Sequence, residues 1–122
     1  MCSMLVVTTE NVAGFRTKKL LGLCFGIAVR SQDIGSNLTA ALRTLRGGDI
    51  VELRTMLEEA RQEALDRLIE NAAAMGANAI VMTRFDSGGY LQTAGDIVAY
   101  GTAAFVTNDD GTVPSVLSDA PL

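Results

Sequence analysis

Two apolar rhythms alternate along this chain. From Lys19 to Arg30 the period is two: Leu21, Leu23, Phe25, Ile27 and Val29 fall on one side of an extended backbone. Gly22, Cys24, Gly26 and Ala28 fall on the other. That predicts a strand with one bulky and one nearly flat face, neither of them polar. From Glu63 the period becomes helical, with Leu65, Leu68, Ile69, Ala72 and Met75 set against Asp66, Arg67 and Glu70. Gly76 supplies the left-handed residue that commonly ends a helix. Ala79, Val81, Thr83 and Phe85 then alternate with Ile80, Met82 and Arg84 as another strand that is apolar on both sides.

The remaining elements follow from the same reasoning. Met4 to Thr9 reads as a first strand and Glu10 to Phe15 as a turn. A short helix is expected from about Ile34 or Ser36 to Leu45, ended by Gly47-Gly48. The long helix should run from about Ile50 to Met75 with Asp49 as N-cap and a stripe of Leu53, Met56, Leu57, Ala60, Ala64, Leu68, Ala72 and Met75. Such a rod, roughly 39 Å at 1.5 Å per residue, exceeds a typical strand of about 17–20 Å, so one end should project past the sheet. Ser87-Gly88-Gly89 reads as a turn, Tyr90 to Gly95 as irregular or edge chain, and Asp96 to Val106 as the last strand. The expectation is one α+β domain over residues 1–106: a small, mostly antiparallel sheet on one long and one short helix, in the order β-β-α-α-β-β. A mobile tail is expected over 107–122.

The two-faced strands carry a second implication. One helical layer covers one face of a small sheet, and the other would expose more Leu, Ile, Val and Phe than soluble monomers usually carry. Another copy of the chain, in a closed cyclic oligomer, is the economical cover. Coverage by the short helix and the tail is the alternative.

Composition narrows the chemistry. The net charge is −4, which argues against sequence-independent binding to nucleic acid or to an anionic membrane. Lys18-Lys19 ahead of the apolar run Leu20 to Val29 imitates a targeting signal. That run is too short for a spanning helix, which needs roughly 20 residues, and it reads as a strand. Histidine is absent, which removes the commonest general base and transition-metal ligand. Cys2 and Cys24 have no metal-site spacing and read as free thiols of a reducing cytosol.

Several segments together carry a family resemblance. Thr8-Thr9, Gly14, Leu21-Gly22, Ile34-Gly35, Leu42 and Gly47-Gly48 come in a characteristic order. Glu63-Ala-Leu-Asp-Arg, Met75-Gly-Ala-Asn-Ala-Ile-Val and Ala99-Tyr-Gly-Thr-Ala follow them. Over roughly Met4 to Val106 the chain resembles the YbjQ-like family of small bacterial proteins, sometimes catalogued as a heavy-metal-binding domain. The resemblance implies a dodecin-like α+β subunit assembled as a homopentamer, with no established activity. Members commonly continue the third strand after Ala-Ile-Val with Gly and a small or acidic run, where this chain has Met82-Thr-Arg-Phe-Asp86. The acidic tail after Val106 is a further departure.

Against that background three readings stand. The first is a cytoplasmic homo-oligomer, pentameric by resemblance, with a structural or binding role, no cofactor, and no partner but itself. The second is a metal-ion or small-ligand site between subunits, with rings of Cys24, Asp86 or Asp96 on an oligomer axis as candidate ligands. The third is a carboxylate-based enzyme drawing on Asp33, Asp49, Glu52, Asp86 or Asp96, with Arg30 or Arg84 as an anion clamp. No nucleophile–base pair can be named for it. Gly47-Gly48 and Gly88-Gly89 lack the spacing and lysine of a phosphate loop, and Tyr100 reads as core packing.

Overall fold

A computed structural model describes residues 4–30, 51–91 and 94–114. Its elements are β1 (Leu5–Val6), β2 (Arg16–Arg30), α1 (Val51–Ala74), β3 (Ala79–Leu91) and β4 (Ala94–Thr107). They form a four-stranded sheet in the order β1-β3-β4-β2. The β2/β4 and β3/β4 pairs are antiparallel and β1 runs parallel to β3, so the sheet is mixed rather than purely antiparallel. The short helix expected near 34–45, its Gly47-Gly48 stop and the Asp49 cap lie outside the described residues.

The helix–glycine–strand join forms as the periodicity predicts. α1 ends at Ala74, Gly76 takes φ +89°, and Ala77 donates back to the Ala72 carbonyl at 3.1 Å. At 1.5 Å per residue the 24-residue helix is about 36 Å long, and the 15 residues of β2 span about 50 Å at 3.3 Å each, far more than the typical strand on which the expected overhang rests.

Two corrections lengthen the strands. Ser87-Gly88-Gly89 does not turn but continues β3, with Ser87 opposite Ile97, Gly88 opposite Asp96 and Gly89 opposite Gly95. Tyr90 and Leu91 end β3 and Ala94 and Gly95 begin β4, where irregular or edge chain was expected, while Gln92 and Thr93 lie outside the described residues. Gly88 is small for a cross-strand reason: a Cβ there would come within 2.9 Å of Asp96 Oδ1.

The flat face of β2 receives the helix. Ala60, Ala64, Leu68 and Ala72 recur every fourth residue, and all are buried. Cys24 and Ala28 are buried with them, joined by Ala77, Ile80, Ala99 and Ala103. Gly26 lies at the crossing, where a Cβ would overlap the Leu68 amide nitrogen and the Ala64 carbonyl oxygen. Glycine there sets how closely the helix approaches. Leu57 and Met75, expected in the core stripe, are instead exposed.

A second, smaller core occupies the other face at one end of the sheet. Val12 packs there with Ala79, Val81 and Val106, alongside Leu5, Val7 and Phe15. The N-terminal segment is stitched on by Val7 N–H donating to the Ile80 carbonyl and Thr83 N–H to the Val7 carbonyl, at 2.9 and 3.0 Å. Met82 N–H donates to the Thr9 carbonyl at 2.9 Å while Met82 itself sits at φ +55°. This marks a bulge between Val81 and Arg84. Thr107 closes β4 in a buried position, and residues 108–112 form a turn held by Asn108 N–H to the Thr112 carbonyl at 2.8 Å. Pro114 is buried, and 115–122 lie outside the described residues.

Candidate functional site

Beyond the reach of the N-terminal segment, the second face of the sheet is exposed among the described residues. Cross-strand register puts Leu23 beside Thr102, Phe25 beside Tyr100, Ile27 beside Val98 and Val29 beside Asp96. Their exposures are 68% for Leu23, 49% for Phe25, 38% for Ile27, 63% for Val29 and 38% for Tyr100. With Leu20 they present on the order of 500 Å² of apolar surface, near the upper limit for patches on soluble monomers. Among the described residues, then, the flat face of β2 is covered and the bulky face is not; the short helix and the end of the tail, named as alternative cover, lie outside them. Tyr100, expected as core, lies on this open face.

On β3 the same face turns charged. Arg84 pairs in register with Tyr100 and Asp86 with Val98, so both lie on the open side, while Phe85 pairs with buried Ala99 on the helix side. The Arg61 guanidinium of α1 lies 5.7 Å from the Phe85 ring centroid. Arg84 Nη1 donates to the carbonyls of Thr8 and Thr83, each at 2.9 Å.

The metal candidates separate. Cys24 is sealed between helix and sheet, its thiol 3.7 Å from the Gly101 carbonyl, and burial pushes its pKa above the ordinary value. A ring of Cys24 thiols on an oligomer axis is therefore incompatible with the fold, since the sulfur lies inside each subunit. Asp86 and Asp96 share the open face as diagonal neighbours across β3 and β4. Asp96 Oδ1 is buried without a hydrogen-bond partner. Among the described residues no three His, Cys, Asp or Glu side chains gather where they could hold an ion. The donor set of the described residues in one chain therefore does not fit a heavy metal.

For the enzymatic reading, Asp33 and Asp49 lie outside the described residues, as do the side chains of Arg30 and Glu52. A shallow groove of about 380 Å³ runs between β2 and α1, lined by Phe25, Ile27, Arg67, Glu70 and Asn71. Two of its three polar residues are engaged already: Arg67 donates to the Ile27 carbonyl and pairs with Glu63, and Asn71 donates to the Phe25 carbonyl. No helix among the described residues is long and apolar enough to cross a membrane.

One residue of the Gly-Ala-Asn-Ala-Ile-Val run has a role that periodicity did not reveal. Asn78 is buried, and its side chain both donates to and accepts from the Val106 backbone. Its position between a glycine stop and a strand was the available signal.

These features meet known proteins at the level of family. The YbjQ family model, described as "putative heavy-metal-binding", matches residues 4–107. A UPF0145 protein of Bradyrhizobium sp. (strain ORS 278) is 62% identical over 104 residues, covering 85% of this chain and 94% of the relative. One from Picrophilus torridus is 50% identical over 103 residues, covering 84% and 87%. The chain belongs to this family, which spans bacteria and archaea and so is not confined to bacteria as the resemblance implied. A crystal structure from Pediococcus pentosaceus, of a DUF74-family protein with unknown function, shares the fold. It aligns with TM-score 0.56 at 13% identity over 84% of this chain and 97% of its own.

Proposed function

We propose that the chain is the subunit of a closed cytoplasmic homo-oligomer, a pentamer with dodecin-like packing as the family resemblance implies, whose role is structural or ligand-binding rather than catalytic. The observation that carries this reading is the bare field of Leu20, Leu23, Phe25, Ile27, Val29 and Tyr100. The edges of the sheet point the same way. The outward carbonyls of Phe25 and Ile27 on β2 are taken by Asn71 and Arg67, and the Ser87 amide on β3 is taken by Asp86 Oδ1 at 2.9 Å. Side chains thus blunt both edges at these points, as natural sheets do against edge-to-edge pairing. The face is left as the surface that another copy covers. A stable interface takes about 800 Å² from each partner, which the apolar field and its rim approach.

The shared face of Asp86 and Asp96 favours a second reading, in which copies brought together around those carboxylates hold a hard cation. Soft metals do not suit such a site, because thiolates and imidazoles are missing from it.

Sedimentation or light scattering tests the first reading. A mass of five chains supports it in full, another closed multiple corrects the subunit number, and a single-chain mass at micromolar concentration refutes it. Phe25→Glu should dissociate the assembly while leaving each subunit folded by circular dichroism. Native mass spectrometry after exposure to calcium, manganese or zinc tests the second reading. An added mass that persists in Asp86→Asn/Asp96→Asn excludes the carboxylates.

A further inference from the structure

Arg84 and Asp86 are opposite charges two residues apart on the face proposed above to lie between copies, and the inference drawn from them rests on that reading. Neither has an ion-pair partner among the described residues. Arg84 uses Nη1 for the Thr8 and Thr83 carbonyls, and Asp86 uses Oδ1 for the Ser87 amide. That leaves Nε and Nη2 of the guanidinium, and one oxygen of the carboxylate, open to a partner. Two main-chain carbonyls already hold the guanidinium, so little side-chain freedom remains to be lost when a carboxylate meets it.

An occupant of this face must bring apolar surface to cover Phe25, Tyr100 and Val98. It must also bring a negative and a positive group at matching spacing for the β3 rim. A second copy supplies both when these faces meet around the axis of a closed ring, each copy giving one side of its face to either neighbour. A chain of net charge −4 is repelled by its own copies at long range, so a local pair of opposite charges at the contact offsets that repulsion where it matters. We propose that Arg84 of one copy pairs with Asp86 of the adjacent copy, fixing the register in which the apolar faces meet. Rim charges of this kind set specificity and register more than raw affinity.

Analytical ultracentrifugation of Arg84→Asp, Asp86→Arg, the double swap and the two single variants mixed in equal amounts tests the pairing. Each single variant should weaken association by about tenfold or more, with a larger loss at low salt. The double swap should recover most of it. The equimolar mixture should assemble better than either variant alone, because every chain with two acidic rim positions then finds a neighbour with two basic ones. Recovery in the mixture cannot come from a pair within one chain. Melting curves separate a loss of assembly from the loss of the Arg84–Thr8 bond, and Arg84→Lys keeps the charge. A wild-type monomer overturns the parent reading. A wild-type oligomer whose single variants associate unchanged, or whose mixture shows no recovery, overturns the pairing alone.

Discussion

The Asn78 side chain and the Val106 backbone exchange two hydrogen bonds, Nδ2 to the Val106 carbonyl at 2.9 Å and the Val106 amide to Oδ1 at 2.8 Å. The primary amide thus imitates a strand residue and extends the β3/β4 ladder at the point where the chain leaves the helix. Removing it strands a buried N–H and a buried C=O, each costing about 1–3 kcal/mol. Asn78→Ala should therefore lower unfolding stability by about 2–4 kcal/mol in a urea titration. Asn78→Asp cannot donate once ionised, so it should be nearly as damaging at pH 7 and recover partly when acid restores the donor.

Gly26 is the closest approach between helix and sheet. Gly26→Ala places a methyl group against main-chain atoms of Ala64 and Leu68, which cannot step aside as a side chain could. The expected result is a loss above about 3 kcal/mol, beyond the usual overpacking cost of 1–3, seen as a large drop in melting temperature. Leu23→Ala on the opposite face should leave the melting of a dissociated subunit almost unchanged.

Met82 holds a left-handed backbone conformation that costs an L-residue about 1–2 kcal/mol. Met82→Gly relieves that cost and gives back part of it as unfolded-state entropy. A net gain of about 0.5–1 kcal/mol is expected by chemical denaturation. The family resemblance carries glycine at this point, and the φ of +55° supplies the physical reason.

The Cys24 thiol has its pKa raised by burial, so the folded state binds its proton more tightly than the unfolded state does. Its contribution to stability is complete below the unfolded value near 9.0 and is lost as pH rises through the folded value. In a Cys2→Ser background, melting temperature should fall above pH 9, and Cys24→Ala should flatten that fall. Ellman's reagent should label Cys24 at the rate of unfolding; rapid labelling of the native protein would contradict its burial.

How far the residues alone could carry the structure depends on what each signal measures. Gly76 was readable because a glycine after a helical stripe has one common use. Gly88 and Gly89 were misread as a turn because a glycine making room for Asp96 across a strand looks the same in one dimension. The alternation of β2 correctly separated its flat and bulky sides. It could not say that the bulky side stands exposed among the described residues, because periodicity records only that residues are apolar. The candidate site suffered most from this. Cys24 is a metal donor by chemistry, but its place on the flat side of β2 already read as packing, and it is buried in one cluster with Leu68 and Ala64. Arg84 and Asp86 gained their importance from cross-strand register, which no local spacing contains.

Asn71, Arg67 and Asp86 occupy backbone groups at the outer rails of the sheet. A neighbouring backbone that tried to join at those points would first have to displace side chains anchored in the same subunit. Addition of one sheet to the next is therefore disfavoured at these points of the rails. The same three side chains that look like minor local contacts thus act against growth into a fibre by strand addition.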